Sequence, residues 1–203
     1  MKKYAVLHEP GDIVTLAGTR FVVLDVERRG SLPDSLFLLA LESVGASEFG
    51  SSNNYAESDL KKAVDKWLED MGKRGLDNAK LIPREIDLTT LDGSGCYGKL
   101  SVKAAPLTLD EAREYADIIP NAERWCWLAT GWSGPSKSDG DLALYVNSNG
   151  DWDNGSCSGS YGIRPALKAP SILFEDSEAG LDLSKIPTDD LLQVIHRRLA
   201  EKA

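Results

Sequence analysis

Leu60, Val64, Trp67, Leu68 and Met71 are offset from Leu60 by four, seven, eight and eleven residues, which puts all five on one face of a 3.6-residue helix. That helix begins near Ser58, and Gly72 and Gly75 end it. Trp67 on such a stripe is a core residue. Most of the sequence around this segment has the shorter period of strands. Ile13–Leu16 and Arg20–Val26 flank Gly18-Thr19 as the arms of a hairpin. Ser35–Leu41 reads as a buried third strand after the turn-rich 29–34. Thr108-Leu109-Asp110-Glu111 is a capping box, which predicts a second, short helix over 109–116. With helical and strand segments both present, the fold class is read as α+β.

The last third changes in composition. Trp125–Leu128 and Asp141–Val146 read as strands, Thr130–Gly140 and Trp152–Gly159 as polar segments, and Asn147–Gly150 as a turn. The segments 81–83 and 86–88 read as short connections. Tyr161–Leu167 reads as a closing strand that Pro165 either places at an edge or interrupts, because proline has no amide to donate. Alternation puts Trp125 and Trp127 on one face, where both are expected in the core. Past residue 169 the chain reads as an extension, 170–203, with a helix over 188–201. Leu191, Leu192, Ile195 and Leu199 give it an apolar stripe, to dock on its own domain, 1–169, or on a second copy in a homo-oligomer.

Charge and chemistry narrow the function. A net charge of −9 repels phosphate backbones and anionic lipid heads, so nucleic acid and membrane are not expected partners. The apolar stretch after Lys2-Lys3 is shorter than the roughly 7–15 residues of an export signal, so a cytoplasmic or virion-associated protein without a signal peptide is expected. The histidines, His8 and His196, lie near the ends, away from Cys96, Cys126 and Cys157. A thiol nucleophile activated by a base therefore has no support, and no catalytic residue is assigned. Free thiols are the simplest state for three cysteines, with a Cys126–Cys157 bridge as the alternative. Asp139, Asp141, Asp151, Asp153, Asn147, Asn149 and Asn154 are rich in oxygen, but no glutamate closes a twelve-residue calcium loop. Turn formation explains them as well, so no cofactor is expected and calcium remains an alternative. Arg164 is expected to tie neighbouring loops through carbonyls or a carboxylate.

The order of these segments carries a resemblance. Phe21–Asp25, Leu60…Trp67-Leu68, Pro106–Ala112, Trp125–Leu128, Leu144–Gly150 and Tyr161-Gly162-Ile163-Arg164-Pro165-Ala166-Leu167 resemble, over about 11–168, bacterial and phage domains of unknown function. Those domains carry a Trp-Trp-Leu-Arg-Ser-Pro strand and close on Gly-Val-Arg-Pro-Ala-Leu. More distantly they are similar to the C-type-lectin-like fold of formylglycine-generating enzymes and of variable receptor-binding proteins. The resemblance implies a C-type-lectin-like mixed fold with two packed helices and a loop-rich antiparallel sheet. This chain has Leu128-Ala129-Thr130-Gly131 where the family has Leu-Arg-Ser-Pro, so any role of that arginine is missing.

The resulting expectation is a non-catalytic domain, of phage or prophage origin, that binds a protein or a glycan. Its ligand face would comprise Trp132, Ser133, Asp139 and Asp141 from one loop. Tyr145, Asn147, Asn149, Trp152, Asp153 and Tyr161 would complete it. Rigid aromatics among small polar residues suit recognition, although the same aromatics could cover the core edge. The alternatives are an oxidase of the formylglycine-generating type, which needs Cys126 and Cys157 together beside a cleft, and a structural virion subunit.

Overall fold

A computed structural model describes residues 8–29 and 32–174. The helix expected over 188–201, its apolar stripe and the oligomer it would mediate lie outside the described residues. The described chain is α+β and mostly strand, with two α-helices.

Two five-stranded sheets form the frame. The first contains β1 (Ile13–Leu16), β2 (Thr19–Arg29), β3 (Leu32–Ala40), β7 (Ala104–Ala105) and β12 (Ala166–Pro170), in the order β1-β2-β3-β12-β7. The second contains β4 (Ala46–Glu48), β8 (Cys126–Gly131), β9 (Leu142–Val146), β10 (Trp152–Ser156) and β11 (Ser160–Gly162), in the order β10-β9-β8-β11-β4. β5 (Arg84–Asp87) and β6 (Lys99–Val102) pair separately. The antiparallel expectation holds for the described pairings except β11 with β8, where Gly162 lies parallel beside Cys126.

Local chemistry explains the elements the sequence announced. The hairpin is present, but its loop is Ala17-Gly18, one residue earlier than the expected Gly18-Thr19, since Thr19 already pairs with Leu16. Both loop residues are at positive φ (46° and 76°), as two-residue hairpin loops of the primed kind require. α1 (Asp59–Lys73) starts at Ser58, whose hydroxyl accepts from the Lys61 amide at 2.9 Å. α2 (Leu109–Glu114) carries both hydrogen bonds of the capping box at Thr108 and Glu111. It stops at Glu114, two residues short of expectation, with Ala116 exposed and Tyr115 only half-buried.

Strand alternation feeds two cores. Phe21, Val23, Leu36 and Leu38 pack with Leu60, Val64 and Met71 of α1 and with Trp127, Ala143 and Tyr145 of the second sheet. Their alternates Val22, Leu24 and Leu39 pack with Leu109 and Ala112 of α2 and with Leu128 and Leu144. Each fully buried side chain of this size contributes about 1.5–3 kcal/mol relative to exposure. Trp67 borders the first core, half-buried, with its ring 6.4 Å from that of Phe21.

Several expectations are corrected. Residues 86–88 are not a bare connection, because Ile86 sits in β5 opposite Leu100 of β6. The polar run from Trp152 is a strand, β10, paired along β9 from Trp152↔Val146 to Ser156↔Leu142. Its ladder is made by the backbone, which explains why polar side chains do not exclude it. Residues 43–55, whose small side chains read as a loop, contain a short strand, β4, at 46–48. The closing run 161–167 is two strands in different sheets. β11 ends at Gly162, Ile163-Arg164-Pro165 crosses over, and β12 begins at Ala166 between β3 and β7. Pro165 thus interrupts the run at the crossing, and its carbonyl accepts from the Ala40 amide at 2.9 Å. Past β12, Ser171–Phe174 forms a 3-10 turn whose Phe174 is buried.

Candidate functional site

The second sheet presents two chemically different faces. On the first-core side, aromatic rings run from the interior to the rim. Trp127 is buried, and its indole N–H donates to the Ser47 carbonyl at 2.9 Å. Its ring lies 4.4 Å from that of Tyr161, and Tyr161 lies 4.8 Å from Tyr145. Trp125 then stacks on Tyr145 at 5.1 Å with an interplanar angle of 4°, and meets Tyr161 edge-on at 5.7 Å. Trp125 is 45% exposed. The shared face expected for Trp125 and Trp127 is present, but Trp125 is not a core residue. It stands one residue before β8, with its ring covered on one side by Tyr145 and open on the other. The Tyr145 hydroxyl donates to Asp153 Oδ2 at 3.2 Å, and burial together with that carboxylate raises the Tyr145 pKa.

On the α2 side of the same sheet, Trp152, paired with Val146, stands at a cavity of about 260 Å³. Asn149 and Gly150 of the β9–β10 turn, Cys126 and Arg164 also line it. The Arg113 guanidinium lies 5.5 Å from the Trp152 ring centroid. Gly150 has φ +92°, and a Cβ there would come within 2.8 Å of Asn121 Oδ1, so the turn approaches the 119–122 wall closely.

The expected ligand face is therefore divided. Tyr145, Asp153 and Tyr161 meet on the first face, with Tyr145 itself buried. Asn149 and Trp152 belong to the second. Trp132 does not join Trp152 as an exposed pair. It is half-buried against the second core, because its amide donates to the Leu142 carbonyl and draws it inward. Ser133 is buried and its carbonyl accepts from Asn53, so it belongs to the interior. Asp139 and Asp141 are exposed and shape the approach to β9, their carbonyls accepting from Leu142 and Cys157 amides. Asn147 Oδ1 accepts from the Asn149 and Asp151 amides, the behaviour of a turn former. Among the described residues, no three His, Cys, Asp or Glu side chains converge as a metal cluster.

The three cysteines are free, with Cys96 exposed and the other two buried. Burial pushes Cys126 up to about 11 and Cys157 up to about 12, with Asp141 adding to the latter. Such thiols hold their protons at neutral pH and are poor nucleophiles.

Two residues central to these faces were not legible as site residues. Trp125 had one signal, the polar Glu123-Arg124 directly before it, which marks the strand's exposed end. Asn53, 1% exposed, holds the 133–142 segment in place from a loop 80 residues away, and nothing local announces it.

The described residues thus define an α+β fold of two five-stranded sheets and two α-helices, with an aromatic rim on one face of the second sheet and a cavity on the other. Compared with protein-family models, with curated proteins and with solved structures, the chain matches none of them.

Proposed function

We propose that this is a non-catalytic binding domain with a C-type-lectin-like core, and that it takes a glycan on the Trp125 shelf. The observation that carries the reading is the exposed Trp125 indole, backed by Tyr145 at 5.1 Å and braced by Tyr161. A flat aromatic surface already held rigid loses little entropy when a sugar's apolar face stacks on it. Asp153, exposed beside the Tyr145 hydroxyl, supplies carboxylate acceptors for sugar hydroxyls. The raised thiol pKa values of Cys126 and Cys157 weigh toward binding and away from cysteine oxidation chemistry.

The test is an array of glycans and of peptides probed with the whole chain and with Trp125→Ala. Glycan binding that drops at least tenfold in the variant, with unfolding little changed, supports the reading. Glycan binding that survives the substitution rejects the shelf. Capture of peptides alone transfers the face to a protein ligand.

A further inference from the structure

The α2-side cavity has an arrangement that the glycan shelf does not use. Arg164 lines it and is only 6% exposed. Its Nε donates to the Ala40 carbonyl at 2.9 Å and its Nη1 to the Pro120 carbonyl at 3.0 Å. Its third nitrogen, Nη2, is buried and has no hydrogen-bond partner among the described residues. None of the described ion pairs involves Arg164. Two neutral carbonyls leave the guanidinium's charge uncompensated, and a buried charge without a counter-ion is costly. Burial accordingly lowers the Arg164 pKa. The surrounding wall is mostly apolar, with Leu107, Ile119, Leu128 and Val146, and has Asn121 and Asn149 as polar members; Trp152 stands at the rim, 42% exposed. Arg113, over the Trp152 ring, adds a second cation there, in a chain whose net charge is −9.

We propose that this cavity binds a small organic acid, a carboxylate on a compact apolar body, anchored by Arg164 and covered by Trp152. A carboxylate provides both the missing acceptor and the missing charge, and guanidinium matches it in shape. The cavity, at about 260 Å³, lies just under the size of ordinary ligand pockets and suits a body of one branched-chain or aromatic unit.

The experiment is calorimetric titration of the whole chain with 4-methylpentanoate and benzoate. Their uncharged amides and a leucine-terminated tripeptide serve as comparison arms. The expected result is saturable binding of an acid, at least tenfold weaker binding of its amide, and at least tenfold loss in Trp152→Ala. Arg164→Gln, if folded, loses acid binding to the same degree. If it does not fold, the acid–amide pair and Trp152→Ala decide. Absent acid binding, equal binding of acid and amide, unchanged affinity in either folded variant, or binding of the tripeptide alone each overturns the proposal. Trp125→Ala leaves acid binding intact, so the glycan reading and this one fail separately.

Discussion

The Tyr97 hydroxyl donates to Asn53 Oδ1 at 2.6 Å, joining the 91–98 loop to a side chain buried beneath the second sheet. The same Asn53 amide donates from Nδ2 to the Ser133 and Leu142 carbonyls, both at 2.9 Å. One side chain thus fastens three segments, and it lies directly under the entry to β9.

Asn53→Ala strands the Ser133 carbonyl and the Tyr97 hydroxyl, while the Leu142 carbonyl keeps the Trp132 amide as a donor, and should cost about 3 kcal/mol in urea unfolding, given about 1–3 kcal/mol per buried unsatisfied group. Asn53→Asp keeps the shape but turns an oxygen toward two carbonyls, so it should be at least as damaging. An aspartate variant as stable as the parent would refute the clamp.

Gly131 lies against that clamp. A Cβ there would sit 2.8 Å from Asn53 Cγ and 3.0 Å from its backbone oxygen. Gly131→Ala should destabilise by about 1–3 kcal/mol through overpacking. Gly95→Ala, whose Cβ would meet nothing within 4 Å, should be close to neutral. Combined with Asn53→Ala, the Gly131→Ala penalty should shrink, since one of the two clashes is gone, and a double-mutant cycle reads that coupling directly.

Trp127 and Trp125 should respond unequally to truncation. Trp127 is 1% exposed and hydrogen-bonded, so Trp127→Ala should cost about 3–5 kcal/mol. Trp125→Ala removes ring contacts at the rim and should cost about 1 kcal/mol. Thermal melts of the two variants side by side test this, and equal losses would contradict the exposed placement of Trp125.

A thiol reagent should distinguish the cysteines. At pH 8 the native chain should show one rapidly reacting thiol, Cys96, and three after denaturation. A pKa near 11 for Cys126, against an ordinary value of 9.0, lowers its thiolate fraction about a hundredfold before access is considered. Fast native labelling of Cys126 or Cys157 would reopen thiol chemistry.

Asp92 provides a pH signature. Lys137, at 2.6 Å, and the Thr90 hydroxyl lower its pKa from 3.8 to about 2. Because the folded value is depressed, the stabilisation is present above pH 3.8 and is lost as pH falls toward 2. Asp92→Asn should therefore lose less stability than the parent between pH 4.5 and 2, measured by denaturant midpoints. A steeper acid loss in the variant would reverse the sign and reject the pairing.

What the sequence alone determined is what short range controls. The α1 stripe, the Thr108–Glu111 capping box and the Asn147–Gly150 turn rest on residues a few positions apart, whose spacing is itself the physics. The tertiary structure decided the rest. Periodicity placed Trp125 and Trp127 on one side but could not say where the sheet ends, and only its neighbours made one buried and the other exposed. For the run 161–167 the sequence left open an edge strand or a break at Pro165, and only the packed chain shows the break to be a crossing between two sheets, with Arg164 reaching Ala40, 124 residues away. Asn53 becomes a clamp through partners 80 and 89 residues distant. Burial and hydrogen-bond satisfaction at such separations belong to the packed chain as a whole, because a side chain's cost or gain depends on which groups the fold brings beside it.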